Sequence, residues 1–201
     1  KDDHMQNGQL KPAYNVQVSS ESQFVIHYTL HQTTNDLNTL KIHLNAFENL
    51  YKFLPQQLTA DAGYGSQENY EFLEQKQIDT YVKYNTFDKE QGILKSKRKK
   101  INEDFHRDNL FYNEELDQYT CPMGQVMEKI GERKRKTKSG YLQTSSAYSA
   151  QNCQGCPLRG TCFKAKGNRV VERNHALEKH KEKVRKNLLS EIGEIKRKQR
   201  T

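Results

Sequence analysis

Leu37, Leu40, Leu44, Phe47, Tyr51 and Leu54 recur at alternating steps of three and four residues. That spacing draws one apolar stripe along one face of a helix of about five turns. Thr34, Asn35 and Asp36 precede it as cap formers, and Pro55 stops it. A helix with one apolar face has to bury that face, and its neighbours along the chain supply the surface. Ala13 to Val18 alternates polar and apolar residues, Ser19–Ser22 reads as a turn, and Phe24 to His31 is a second β-rich run. Together they predict a hairpin, with Pro12 at its entry where no ladder hydrogen bond is needed. After the helix, Gln57–Asp61 reads as a short strand and Ala62-Gly63-Tyr64-Gly65-Ser66 as a tight turn. A helix from Gln67 to about Gln75 follows, with Ser66 as its cap, and then a strand over Thr80–Tyr84. Strand, strand, helix, strand, helix, strand is the grammar of a mixed α/β sheet domain.

Beyond Asn85 the grammar changes. Residues 86–109 are polar and charged and read as a mobile or partly ordered linker. Residues 110–172 carry all four cysteines and short β-like runs at Tyr119–Cys121, Gln125–Ile130 and Tyr141–Tyr148. From residue 173 onward Leu177, Val184, Leu188, Ile192 and Ile195 mark one long helix with a sparse apolar stripe among Lys, Arg and Glu. The chain therefore divides into a core over 1–85, a linker over 86–109, an insertion over 110–172 and a basic helix over 173–201.

Charge narrows the function. The 33 Lys and Arg exceed the 25 Asp and Glu by 8, and residues 163–201 alone hold 13 basic and 5 acidic side chains, so the whole excess sits in the tail. Lys97, Arg98, Lys99 and Lys100 form a second basic run, Arg133 to Lys136 a third, and Lys179, Lys183 and Lys186 recur at helical spacing. A basic tail on a balanced body points to a polyanion, most simply nucleic acid; the plainer alternative is a solvated helix surface. No apolar run is long enough to span a membrane. The polar start, Lys1-Asp2-Asp3-His4, is no signal peptide and lacks an initiator Met, which leads us to expect a piece of something longer. There is no Gly-x-Gly-x-x-Gly, P-loop or nucleophile elbow, so a nucleotide cofactor is not expected. The seven histidines are scattered along the chain and none is assigned to a metal.

Asp61 ends a predicted strand ahead of a glycine turn. Side chains in that position of an open α/β sheet face the crevice where ligands bind. A carboxylate there can ligate Mg²⁺, and a pair of such ions drives phosphodiester chemistry, though two ions need more than one carboxylate. An Asp before Ala-Gly is equally an ordinary turn former. Cys121, Cys153, Cys156 and Cys162 are the second candidate site. Three thiols within ten residues, in a segment too polar to build a core, suggest a structural tetrahedral Zn²⁺ site. An iron–sulfur cluster or disulfides are the alternatives.

The string Thr59-Ala60-Asp61-Ala62-Gly63-Tyr64-Gly65-Ser66 resembles the block around the second catalytic Asp of bacterial DDE transposases of the IS1182-like group. Asn7 to Gln17 is similar to that family's early strand. Cys121-Pro122-Met123-Gly124-Gln125 and Cys153-x-x-Cys156-Pro157-Leu158-Arg159-x-x-Cys162 follow its cysteine-bearing insertion in the same order. The resemblance implies an RNase H-like fold, three acids round two Mg²⁺ ions, and nicking and joining of DNA at insertion-element ends. It further implies DNA as partner, self-association of the complete transposase and a bacterial cytoplasmic setting. On it Asp61 is the middle acid. The first Asp, upstream of Asn7, and the final Glu, in a Glu-Ala-Val-Phe-Gly-like string, have no counterpart here; Asp2, Asp3 and Asp36 are poor stand-ins because none sits late in a strand. The expectation is a transposase fragment inactive alone. The alternative is a non-catalytic, zinc-stabilised nucleic-acid-binding protein.

Overall fold

The computed structural model of the chain describes residues 13–92 and 105–199. The chain divides into two compact units, Lys1–Gln91 with Lys179–Thr201, and Gly92–Glu178.

In the first unit, β1 (Asn15–Glu21) and β2 (Phe24–His31) pair antiparallel. The turn is made by Ser22 and Gln23, whose φ angles of 50° and 71° are those of a tight two-residue hairpin loop. β1 thus runs through Ser19–Glu21, where the sequence pattern predicted the turn, and a register shift between Ser19 and Ser20 absorbs the difference. The alternation is oriented against expectation. Val16 and Tyr28 are 52% and 63% exposed, whereas Gln17, between two valines, is 4% exposed.

Helix α1 (Leu40–Tyr51) follows a 3-10 turn at Asp36–Asn38 and buries Leu40, Leu44 and Phe47 of the predicted stripe. It is shorter than the sequence predicted. Lys52 adopts a left-handed φ of 64°, and its N–H donates to the Glu48 carbonyl, closing the helix before Pro55 is reached. β3 (Gln57–Ala60), α2 (Gln67–Gln75) and β4 (Asp79–Val82) form a parallel β-α-β unit with Gln57 opposite Asp79 and Ala60 opposite Val82. The Ser66 hydroxyl caps α2 by accepting from the Asn69 N–H at 3.2 Å. Lys41 to Glu68 and Lys76 to Glu48, both at 2.8 Å, link α1 and α2. α3 (Phe87–Glu90), with Phe87 fully buried, lies where the sequence suggested linker; an aromatic side chain that reaches a core orders its segment.

The C-terminal helix is two helices, α4 (His175–Leu189) and α5 (Glu191–Gln199). Ser190 makes the break. Its hydroxyl donates to the Asn187 carbonyl at 2.6 Å and accepts from the Gly193 N–H at 3.1 Å, so it ends one helix and caps the next. A Cβ at Gly193 would lie 2.1 Å from the Asn187 oxygen, so only glycine fits this junction. Of the predicted stripe, Val184 and Leu188 are buried, while Ile192 and Ile195 beyond the break are exposed. Within the first unit Asn187 Nδ2 donates to the Thr80 carbonyl at 3.1 Å, and the Arg185 Nε donates to the Tyr84 hydroxyl at 2.9 Å.

The second unit is an antiparallel meander. β5 (Phe111–Asn113), β6 (Gln118–Thr120), β7 (Val126–Lys136), β8 (Leu142–Ala150) and β9 (Val170–Arg173) lie side by side in chain order. Leu110, Tyr119, Met127, Tyr148, Ala150 and Val171 make its apolar cluster. Register explains the membership: Tyr119 faces Met127, Met127 faces Ala150 and Tyr148 faces Val171, and opposed residues share a sheet face. The hydroxyls of Tyr112 and Tyr148 both donate to Asp117 Oδ1. The fold class is mixed α/β, as the element order predicted.

Candidate functional site

Asp61 directly follows β3 and is exposed. Its carbonyl accepts from the Tyr64 N–H at 3.1 Å, forming the 3-10 turn Ala62–Tyr64. Because β3 and β4 are parallel, Asp61 and Lys83 lie past the same, C-terminal ends of the pair, the edge where α/β sheets bind ligands. Lys83 itself pairs with Asp88 at 2.9 Å. Gly65 lets the turn lie flat on the end of β4; a Cβ there would be 2.4 Å from the Lys83 carbonyl and 2.8 Å from the Tyr70 hydroxyl.

The turn meets a polar network that sequence reasoning missed. A Cβ at Gly63 would sit 3.4 Å from Asp36 Oδ2. Asp36 Oδ1 accepts from Asn15 Nδ2 at 2.7 Å and from Gln17 Nε2 at 3.2 Å, and the Tyr64 hydroxyl donates to Gln17 Oε1. Asp36, set aside because it does not end a strand, therefore lies beside this turn. The signal was available: Asn15, Gln17 and Ser19 share one face of β1, an amide-rich face that needs buried partners. Asp36 is already held by two amides.

Three of the histidines, His27, His31 and His43, come together, where the sequence reading found no cluster. His43 Nε2 is 2.7 Å from the Ser19 hydroxyl and its Nδ1 is 2.7 Å from Thr29 Oγ1, which in turn lies 2.7 Å from His31 Nε2. The His27 and His43 ring centroids are 4.8 Å apart. Burial, with His27 and His31 adding, pulls His43 down to about 4, so the His43 ring is neutral at pH 7.

Among the described residues no three His, Cys, Asp or Glu side chains come together as a group that could hold a metal ion. At Asp61 this leaves one carboxylate where a pair of ions needs several. The donor set present does not fit the two-ion arrangement. Nor do the cysteines form the expected zinc site. All four are free thiols of intermediate exposure. Cys121 and Cys153 pack against the tyrosine-rich apolar cluster. Cys162 accepts from the Arg169 guanidinium at 2.9 Å, and Cys153 Sγ accepts from the Arg169 N–H at 3.3 Å. Arg169 is 7% exposed, so a buried cation already stands against the Cys162 sulfur. The spacing of Cys153, Cys156 and Cys162 brings them into one loop, but packing and Arg169 orient the sulfurs, and spacing alone does not encode those neighbours.

Of the basic residues expected to meet nucleic acid, Lys97, Arg98, Lys99 and Lys100 lie outside the described residues, as do Asn7 to Pro12 of the early block. Lys183 is ion-paired with Glu74 at 2.8 Å and Lys186 with Glu182 at 2.9 Å, while Lys179 adds to the field that lowers the Glu74 carboxyl. In the second unit Arg133 and Arg135 converge on Glu172 Oε1, at 2.6 and 2.9 Å, and the Arg107 guanidinium donates to the Glu172 carbonyl at 2.7 Å. Arg107, Arg135 and Arg169 line one open groove with Cys162 and Glu172. Arg107 and Arg169 joined no sequence pattern; the sheet brings them to Arg135.

Compared with known proteins, residues 120–201 match a family model described as a transposase DDE domain. The match begins at the last residue of β6 and takes in all four cysteines, α4 and α5; Asp61 lies outside it. No curated protein and no solved structure matches the chain. No described helix is long and apolar enough to cross a membrane.

Proposed function

We propose that this chain is part of a DDE transposase of the IS1182-like group, a bacterial cytoplasmic protein that cuts and joins DNA at insertion-element ends. The observation that carries the reading is the transposase DDE domain match over residues 120–201. The motif around Asp61, outside the match, supports it independently. On this reading residues 1–85 are a partial RNase H-like core with Asp61 as its middle acid. Residues 86–109 join it to the cysteine-bearing insertion over 110–172, and DNA is the partner. Self-association belongs to the complete transposase.

The family uses Mg²⁺, which supplies charge for activating water or a 3′-hydroxyl. Among the described residues, what this strand end offers is one exposed carboxylate, Asp61, held there by the turn through Tyr64 and by the close seating of Gly65. One carboxylate neither fixes two ions nor balances them, so the isolated chain is inactive. A supercoiled plasmid incubated with the chain and Mg²⁺ or Mn²⁺ stays intact. Nicking that Asp61→Asn abolishes would overturn the claim of inactivity. Absence of duplex DNA binding under any salt condition would remove the transposase reading altogether.

A further inference from the structure

The basic run at Arg133–Lys136 was noted in the sequence without a role. In the structure it is the outer part of β7, and the ladder shows what kind of object carries it. β6 pairs with β7 only at Val126 and Met127, and β9 pairs with β8 only over Ser146–Ser149. Beyond those rungs β7 and β8 pair with each other alone: Arg133 with Ser145, Lys134 with Thr144, Arg135 with Gln143 and Lys136 with Leu142. The loop closes through the Thr137 N–H to the Tyr141 carbonyl at 2.9 Å and the Gly140 N–H to the Thr137 carbonyl at 3.0 Å. Residues 133–145 are thus a two-stranded ribbon standing out from the five-stranded sheet.

Composition within the ribbon is one-sided. It holds Arg133, Lys134, Arg135, Lys136 and Lys138 and no Asp or Glu, and its remaining side chains include Thr137, Ser139, Gln143, Thr144 and Ser145. Period-two geometry divides the charges. Arg133 and Arg135 share one face and are drawn to Glu172 at the ribbon's base. Lys134 and Lys136 share the other face, and with Lys138 in the loop they make no ion pair among the described residues. An isolated ribbon of this kind is marginal on its own, and three lysines on it without a counter-charge cost more stability still. A polyanion removes that cost.

We propose that this ribbon is a DNA-docking arm that enters the major groove of a duplex, with Lys134, Lys136 and Lys138 on its phosphates. The inference rests on the reading of the chain as a DNA-acting protein and locates the contact within it. A major groove about 12 Å wide and 8.5 Å deep admits a two-stranded ribbon. Four rungs at about 3.4 Å give the arm roughly 14 Å of reach, enough to fill that depth. Hydroxyl and amide side chains along it are suited to phosphate and sugar contacts, which position the arm without selecting sequence. The C-terminal lysines compete poorly for this role, since Lys183 and Lys186 are already paired with Glu74 and Glu182.

The test uses the full chain and a short mixed-sequence DNA duplex, titrated between about 50 and 200 mM salt. Replacing Lys134, Lys136 and Lys138 together with Gln lowers affinity roughly tenfold to hundredfold and reduces the salt slope by about 2 to 3, near 0.9 per lost phosphate contact. The matching replacement of Lys179, Lys183 and Lys186 changes both far less. An RNA duplex, whose deep, narrow major groove excludes the ribbon, binds the unaltered chain more weakly than DNA. If the ribbon variant binds DNA as the unaltered chain does, the arm is not the contact and the DNA reading stands without it. If DNA and RNA duplexes bind equally, entry into the groove is wrong. If the unaltered chain binds no duplex, the reading beneath the inference falls with it.

Discussion

In the second unit every strand pairs with the next along the chain, from β5 to β9. In the first unit the closing contacts come from far away: Asn187 reaches Thr80 across 107 residues, and Arg185 reaches Tyr84 across 101. The cores differ as well. The meander buries one face of tyrosines and apolar residues, and it organises Asp117 beneath two tyrosine hydroxyls. The hairpin of the first unit turns an amide- and histidine-lined face inward and leaves Val16, Val18, Tyr28 and Leu30 exposed, with Val16 opposite Leu30 and Val18 opposite Tyr28. A contiguous apolar face of that kind is unusual on a free surface. A basic tail is therefore not automatically an appendage. The charges of α4 that looked like a polyanion-binding face are partly the price of holding Glu74, Glu90 and Tyr84 in place.

The largest expected effect follows from that long-range closure. Leu188 is fully buried, and Leu188→Ala should cost about 2–5 kcal/mol. Amide hydrogen exchange then accelerates across β4 and α2, while β7 and β8 keep their protection. Equal acceleration in both places would break the comparison, because it would make the two units one cooperative structure.

Acid separates the units less strongly. His43 titrates at about 4 in the folded chain, against an ordinary value of 6.5. An unfolded chain therefore takes up this proton first, and stability that is fully present above pH 6.5 drains away as pH falls towards 4. Asp117 behaves differently. Burial raises its carboxyl, but the hydrogen bonds from Tyr112 and Tyr148 outweigh that and leave it below the usual 3.8, so its contribution persists until pH falls below that value. Following His43 and Tyr148 resonances through an acid titration should show the first unit loosening at milder pH. Loss of the Tyr148 environment first would reverse the order.

The smallest effect is expected from metal removal. With Cys121 and Cys153 on the apolar cluster and Arg169 against Cys162, chelation should leave the thermal midpoint and circular dichroism unchanged, and elemental analysis should find less than one zinc per chain. Stoichiometric zinc whose removal unfolds β5–β9 would restore the thiolate site that the cysteine spacing predicted. It would also make the second unit depend on a ligand rather than on its tyrosine cluster.

Local pattern alone was sufficient for the elements whose partners are near in sequence. The stripe of α1, the Ser66 cap, the β-α-β order and the strands around the cysteines are all legible because periodicity, capping and turn chemistry act within a few residues. So was the placement of Asp61 after a strand. The remaining features have partners that are distant in sequence or oriented by packing. The inward turn of Gln17 depends on Asp36 and Tyr64. The gathering of His27, His31 and His43 depends on α1 crossing the hairpin. The division of α4 from α5 depends on Ser190 and on a glycine too crowded to carry a Cβ. The cysteine spacing is a statement about chain distance, whereas a metal site is a statement about sulfur positions, and those were set by an arginine and an apolar cluster that no spacing names.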